Sequence, residues 1–188
     1  MRALVGSIIF FVVAPGTVVG LVPWLLTGWD RADPMPAWAP VPVEVFGSVL
    51  LAAGVAVLLH AFGQFVAEGL GTPFPAAPPR HLVVGGLYRY VRNPMYVAVV
   101  AAVLGEALLL GRTDLLVYAV IVWAVTAAFV RFREEPVLTR RFGAEYTTYR
   151  RAVRAWWPRL RPWRSAEPGA KSGSEAGERA VGWPGEFG

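Results

Sequence analysis

The chain has no cysteine among its 188 residues and only two histidines, His60 and His81. The first absence excludes disulfides, thiolate metal sites and a cysteine nucleophile. The second leaves too few imidazoles for a histidine-rich centre, so no metal is expected. Charge is also scarce, with 16% of residues charged against 55% hydrophobic and a mean hydropathy of +0.47. A soluble domain of this size cannot bury so much apolar surface, and the composition is that of an integral membrane protein.

Four apolar runs stand out, over residues 4–26, 45–65, 95–110 and 115–130. A helix crosses a hydrocarbon core of about 30 Å with roughly 20 residues, so the first two suffice and the last two are short. Snorkelling of Arg112 and Arg131 lengthens them. The expected fold is all-α, about four transmembrane helices in a single domain over residues 1–164. Met1-Arg2 before an apolar run and Ala37-Trp38-Ala39 have the form of a signal peptide and its cleavage site. The run is too long, the site lies far past its end and Pro40 follows it, so the segment is read as a retained span.

Residues 131–164 carry ten arginines against Glu134, Glu135 and Glu145, a local +7, whereas residues 165–188 carry two basic and four acidic side chains, a local −2. With four spans, Arg2, Arg80, Arg89, Arg92 and those ten arginines share one side, and only Arg31 and Arg112 fall on the other. By the positive-inside rule the arginine-rich side and both termini are cytoplasmic, in the cell membrane. The same arginines adjoin Trp156, Trp157 and Trp163, a setting for anionic lipid headgroups rather than nucleic acid.

Pro15 and Pro23 are expected to kink the first span, and residues 27–42 form a loop. His60, Gln64 and Glu68 fall at i, i+4 and i+8 on the second span, a polar stripe that either orients a substrate or bonds a neighbouring helix. The prolines of residues 73–79 predict a stiff extended connector. Pro94 belongs in the first turn of the third helix with Asn93 as cap. Gly111-Arg112-Thr113-Asp114 is short enough to force an antiparallel hairpin, returning Asn93-Pro94 and residues 131–135 to one membrane face. Glu106 is expected to snorkel or to pair with Arg112. Ala98, Ala101, Ala102 and Gly105 offer a small-residue face for the bundle or for a second copy. The stretch through Trp163 reads as a basic amphipathic element on the membrane surface, and residues 165–188 as a disordered tail.

Arginines, tyrosines and carboxylates gathered at one end of a bundle suit a ligand bearing anionic, cationic and hydroxyl groups. Arg89 and Arg92, i and i+3 if helical, would hold a carboxylate or phosphate. Glu134 and Glu135 would accept hydroxyls or an amine, and Tyr88 or Tyr96 would face a sulfonium. S-adenosylmethionine carries all these groups. Arg131 and Glu135 are equally read as an i, i+4 structural ion pair.

Gly86-x-Tyr88-Arg89-x-x-Arg92-Asn93-Pro94-x-Tyr96, a hairpin, then Arg131-x-x-Glu134-Glu135 and Phe142-Gly143-x-Glu145-Tyr146-x-x-Tyr149 resemble the isoprenylcysteine carboxyl methyltransferase and phospholipid methyltransferase superfamily. The resemblance covers residues 81–157. It implies a cytoplasmic S-adenosylmethionine pocket lined by His81, Leu82, Val83, Gly86, Tyr88, Arg89, Asn93, Pro94, Tyr96, Arg131, Glu134 and Glu135. Arg89, Glu134 and Glu68 are the expected catalytic residues, with His60 and Gln64 orienting the acceptor. Asn93 stands where isoprenylcysteine enzymes usually carry histidine, which weakens the case for a prenylcysteine substrate. The acceptor is expected to be lipophilic: a prenylcysteine-like carboxylate, a phospholipid amine, or a small hydrophobic thiol or amine. An NADPH-dependent double-bond reductase of the sterol type and a noncatalytic lipid-binding protein are the alternatives.

Overall fold

The computed structural model describes residues 13–32, 36–37, 41–67 and 82–164. Among them every regular element is helical: α1 (Val13–Thr27), α2 (Val41–Ala67), a 3₁₀ turn (Gly86–Arg89), α3 (Pro94–Leu110), α4 (Thr113–Phe129), a π turn (Val130–Glu134) and α5 (Glu135–Ala152). Two helices are long and apolar enough to cross a membrane, Val41–Gln64 and Thr113–Ala152, the latter kinked at Gly143, whose φ is +51°. Val13–Thr27 and Pro94–Leu110 are shorter apolar helices. Residues 4–12 of the first expected span, the proline connector and residues 165–188 lie outside the described residues.

Side chains such as Val49, Val120 and Val125 are more than 60% exposed along α2 and α4. That apolar exterior suits lipid rather than water.

Helices α2 and α3 pack antiparallel with their backbones in direct contact. A Cβ on Gly54 would lie 2.8 Å from the Ala102 amide nitrogen and 2.9 Å from the Ala98 carbonyl oxygen. One on Gly105 would lie 2.7 Å from Leu51 Cα, and one on Gly47 2.6 Å from the Leu109 amide nitrogen. In lipid no hydrophobic driving force pulls helices together, so such close approach supplies the dispersion contact that does. The small-residue face of α3 thus packs within the bundle.

The kink expected of Pro23 takes a specific form. Residues Thr17–Leu21 form a π turn, with the Val22 amide bonded to the Thr17 carbonyl. In that i→i−5 register the next amide would serve the Val18 carbonyl, but proline has none. Tyr118 Oη from α4 donates to Val18 O instead, at 3.1 Å. Gly28 closes α1 in the left-handed conformation, and Gly111 does the same for α3, opening the predicted hairpin into α4.

Glu106 does not pair with Arg112. It is buried at 8% exposure, and its Oε2 has no hydrogen-bond partner among the described residues. Arg112 donates to Asp114 through Nε at 3.2 Å and Nη2 at 2.8 Å, and to the Leu26 carbonyl at 3.3 Å. The exposed neighbour two residues along is reached without drawing a cation into the helix interface, and the Leu26 bond caps the C-terminal end of α1.

Gly54→Ala is expected to destabilise the detergent-solubilised protein by about 1–3 kcal/mol, because its new methyl meets backbone. Gly63→Ala, whose Cβ would meet nothing within 4 Å, is expected to be neutral or stabilising. Thermal unfolding of the two variants side by side checks the contrast.

Candidate functional site

The end of the bundle opposite the Gly111 hairpin gathers residues from four segments. The first is the approach to α3. Leu82 and Val84 pack against buried Tyr146, Tyr149 and Val153, and Val83 is itself buried. Gly86 takes φ +47° where a Cβ would overlap the Gln64 side-chain amide, so this glycine lets the 3₁₀ turn rest on α2. His60, one turn back, is exposed.

The second segment is the junction of α4 and α5. Pro136 lacks an amide, and the chain passes it through the π turn Val130–Glu134, with the Glu135 amide bonded to the Val130 carbonyl. In the resulting register two adjacent carboxylates reach residues on either side of Pro94. Tyr96 Oη donates to Glu134 Oε1 at 2.8 Å. Arg92 Nη1 donates to Glu135 Oε1 at 2.9 Å and to Tyr146 Oη at 3.1 Å.

The two glutamates sit in different surroundings. Glu135 and Arg92 have side chains only 7% and 10% exposed. The other Glu135 oxygen faces Arg150 Nη2 at 3.1 Å and Arg131 Nη1 at 3.6 Å, so one carboxylate answers three arginines. The i, i+4 pair of Arg131 and Glu135 therefore forms, inside a larger ion cluster. Glu134, past the end of the spanning helix α4, is half-buried and accepts from Tyr96 alone among the described residues.

The third and fourth segments are α5 and the strap that follows it, residues 153–164. Tyr149 Oη donates to the Tyr88 carbonyl at 2.6 Å. Its ring lies 5.3 Å from that of Trp163. The strap then runs back along residues 89–92. Arg92 N bonds Arg154 O, Arg159 N bonds Tyr90 O and Trp163 N bonds Arg89 O, each at 2.9 Å.

One expectation is corrected by this arrangement, and a second in part. Arg89 and Arg92 do not form a paired fork: the 3₁₀ turn ends at Arg89, so helical i, i+3 geometry never arises. Arg89 Nε donates to the Trp163 carbonyl at 2.7 Å, while Arg92 turns to Glu135. Asn93 holds the N-cap position of α3, as expected, but its side chain makes no capping hydrogen bond. Its Nδ2 donates to the Ala155 carbonyl at 3.2 Å, tying the strap to the helix start, while Pro94 occupies the buried first turn as expected.

Of the residues expected at the site, Leu82, Val83, Gly86, Tyr88, Arg89, Asn93, Pro94, Tyr96, Arg131, Glu134, Glu135 and Gln64 come together at this end. His81 and Glu68 lie outside the described residues. Tyr146, Tyr149 and Trp163 were not singled out as site residues, although the two tyrosines stand in the quoted Phe-Gly motif. The strap's contacts are largely backbone to backbone, which residue identity does not announce.

The sequence model of the phospholipid methyltransferase family matches residues 43–145. The chain belongs to this family. The match takes in α2, the hairpin and the two glutamates, beginning well before the motif core at residue 81 and stopping short of Tyr146 and the strap. No curated protein gives a significant match. Family membership and the apolar helices together make this a membrane-associated protein of a methyltransferase family.

Removing one partner of a buried ion pair leaves the other charge stranded, so Glu135→Ala is expected to destabilise the protein by about 3–5 kcal/mol. Glu134→Gln, which keeps an acceptor for Tyr96, is expected to stay within about 1 kcal/mol of the parent. Unfolding midpoints in detergent distinguish the two.

Proposed function

We propose that this protein is an S-adenosylmethionine-dependent methyltransferase with four transmembrane helices, acting on a lipophilic acceptor at the cytoplasmic face of the cell membrane. The observation that carries the reading is the placement of Glu134, half-buried and hydrogen-bonded to Tyr96 in the first turn of α3, in a phospholipid methyltransferase family member. The arginine asymmetry supports the orientation.

The residues present fit the cofactor. The Arg89 terminal nitrogens make no hydrogen bond among the described residues, which leaves a fork for a carboxylate, and buried Arg92 Nε has no partner there either. Glu134 accepts an amine or ribose hydroxyl, with Glu135 and Arg131 as its charged surroundings. Tyr88 and Tyr96 offer aromatic faces to a sulfonium. Leu82, Val83, Gly86, Asn93 and Pro94 shape the backbone on which these groups stand, and His81, expected with them from the family resemblance, lies outside the described residues. S-adenosylmethionine, when bound, supplies a methyl group activated by the adjoining sulfonium.

What the chain must do is position donor and acceptor in line and keep water out. The tyrosine cluster and strap cover the site on one side. Gln64, resting on Gly86, with His60 one turn back along the same helix, orients an acceptor that arrives sideways from the bilayer, and Glu68, outside the described residues, is assigned to the same task by the sequence pattern. Membership of this family favours methyl transfer over the reductase chemistry with which the Arg-Asn-Pro segment is also compatible.

Calorimetric titration of the purified protein with S-adenosylhomocysteine tests the reading. Saturable binding is expected, with no response to NADPH. Glu134→Ala and Arg89→Ala are each expected to weaken it roughly ten- to a hundredfold, the value of a hydrogen bond to a charged group. Unchanged affinity in a folded Glu134→Ala variant, or binding of NADPH alone, would overturn it.

A further inference from the structure

The strap is held against the membrane helices as well as against residues 89–92. Trp156 stands edge-on to Trp123 of α4, ring centroids 6.4 Å apart. Trp123 lies six residues before Phe129, the end of α4, so it sits about 9 Å down the spanning helix from that end. Trp156 of the strap therefore reaches back past the end of α4, alongside the apolar part of that helix. Next along the strap, Trp157 is 72% and Leu160 100% exposed. Exposure of that extent in water would serve nothing, whereas an indole and a leucine beside the end of a spanning helix are interfacial anchors.

Arg154, Arg161 and Arg164 bracket these anchors, all exposed, and none forms an ion pair among the described residues. Cationic side chains alternating with apolar ones near the helix end match an anionic leaflet in both position and charge.

We infer that residues 153–164 are a docking surface for anionic phospholipid headgroups, with Trp157 and Leu160 among the acyl chains and the three arginines on phosphates. The occupant is the leaflet itself. A protein partner would have to reach residues that the Trp123 contact holds beside the spanning helix. Because strap carbonyls hold Arg89 and Asn93, the docked leaflet also steadies the segment that leads into α3.

The cysteine-free chain permits a direct test. Leu160→Cys, at a position with no packing to lose, is labelled with an environment-sensitive fluorophore and reconstituted in nanodiscs of phosphatidylcholine alone or of equal parts phosphatidylcholine and phosphatidylglycerol. In the anionic discs the label is expected to be shielded from an aqueous quencher by about tenfold or more relative to phosphatidylcholine, given the attraction each arginine adds near a charged surface. Raised ionic strength, or Arg154→Gln with Arg161→Gln and Arg164→Gln, should abolish the difference. Equal shielding in both lipids, full aqueous access in both, or a difference that survives salt and the triple substitution would each overturn the inference.

Discussion

Everything at the functional end of this protein is referred to one buried ion pair, Arg92 with Glu135. The arginine belongs to the loop that feeds α3, and the glutamate to the junction where α4 becomes α5. Their bond fixes those two segments to each other. Tyr146 and Arg150 extend the tie to the C-terminal half of α5, and the Arg92 amide extends it to the strap. Three cations around one carboxylate offset the desolvation that burial imposes, since removing charges from water is costly unless each finds partners. Both partners sit beside a proline, Pro94 or Pro136, where the helical ladder is already interrupted and side chains are turned out of their regular register.

That arrangement divides labour between two neighbouring glutamates. Glu135 is ion-paired with three arginines and holds the fold, although its Oε2 makes no hydrogen bond among the described residues. Glu134, one residue earlier in the π turn, is left with a single neutral donor, Tyr96, and with acceptor capacity to spare. π turns arise where a helix must absorb an extra residue, and here the extra residue places a carboxylate at the mouth of the bundle. The other half of the molecule does simpler work. Gly47, Gly54 and Gly105 bring α2 and α3 into backbone contact, which sets the position of Gln64 relative to Gly86.

Much of this was legible in the residues. Apolar runs located α2, the hairpin and α4 to within a few residues, because a spanning helix advertises itself by composition. The Tyr-Arg, Asn-Pro and double-glutamate motifs come together at one end of the bundle, as the hairpin implied. What could not be read was who pairs with whom. Arg89 and Arg92 look like one fork until the 3₁₀ turn sends them to different partners. Asn93 looks like a side-chain cap until the strap offers it the Ala155 carbonyl, and Arg112 chooses Asp114 over Glu106 on grounds of desolvation. The strap escaped because its hydrogen bonds are made by main-chain atoms, and the π turns because proline in a membrane helix predicts a break without saying which kind.

The central claim is that Glu134 serves chemistry and Glu135 serves structure. Transfer of labelled methyl from S-adenosylmethionine into the lipid fraction of reconstituted membranes, compared between the parent protein and Glu134→Gln, tests it most directly. The account predicts incorporation by the parent and its loss in a Glu134→Gln protein that unfolds like the parent. Full incorporation by that variant would contradict it.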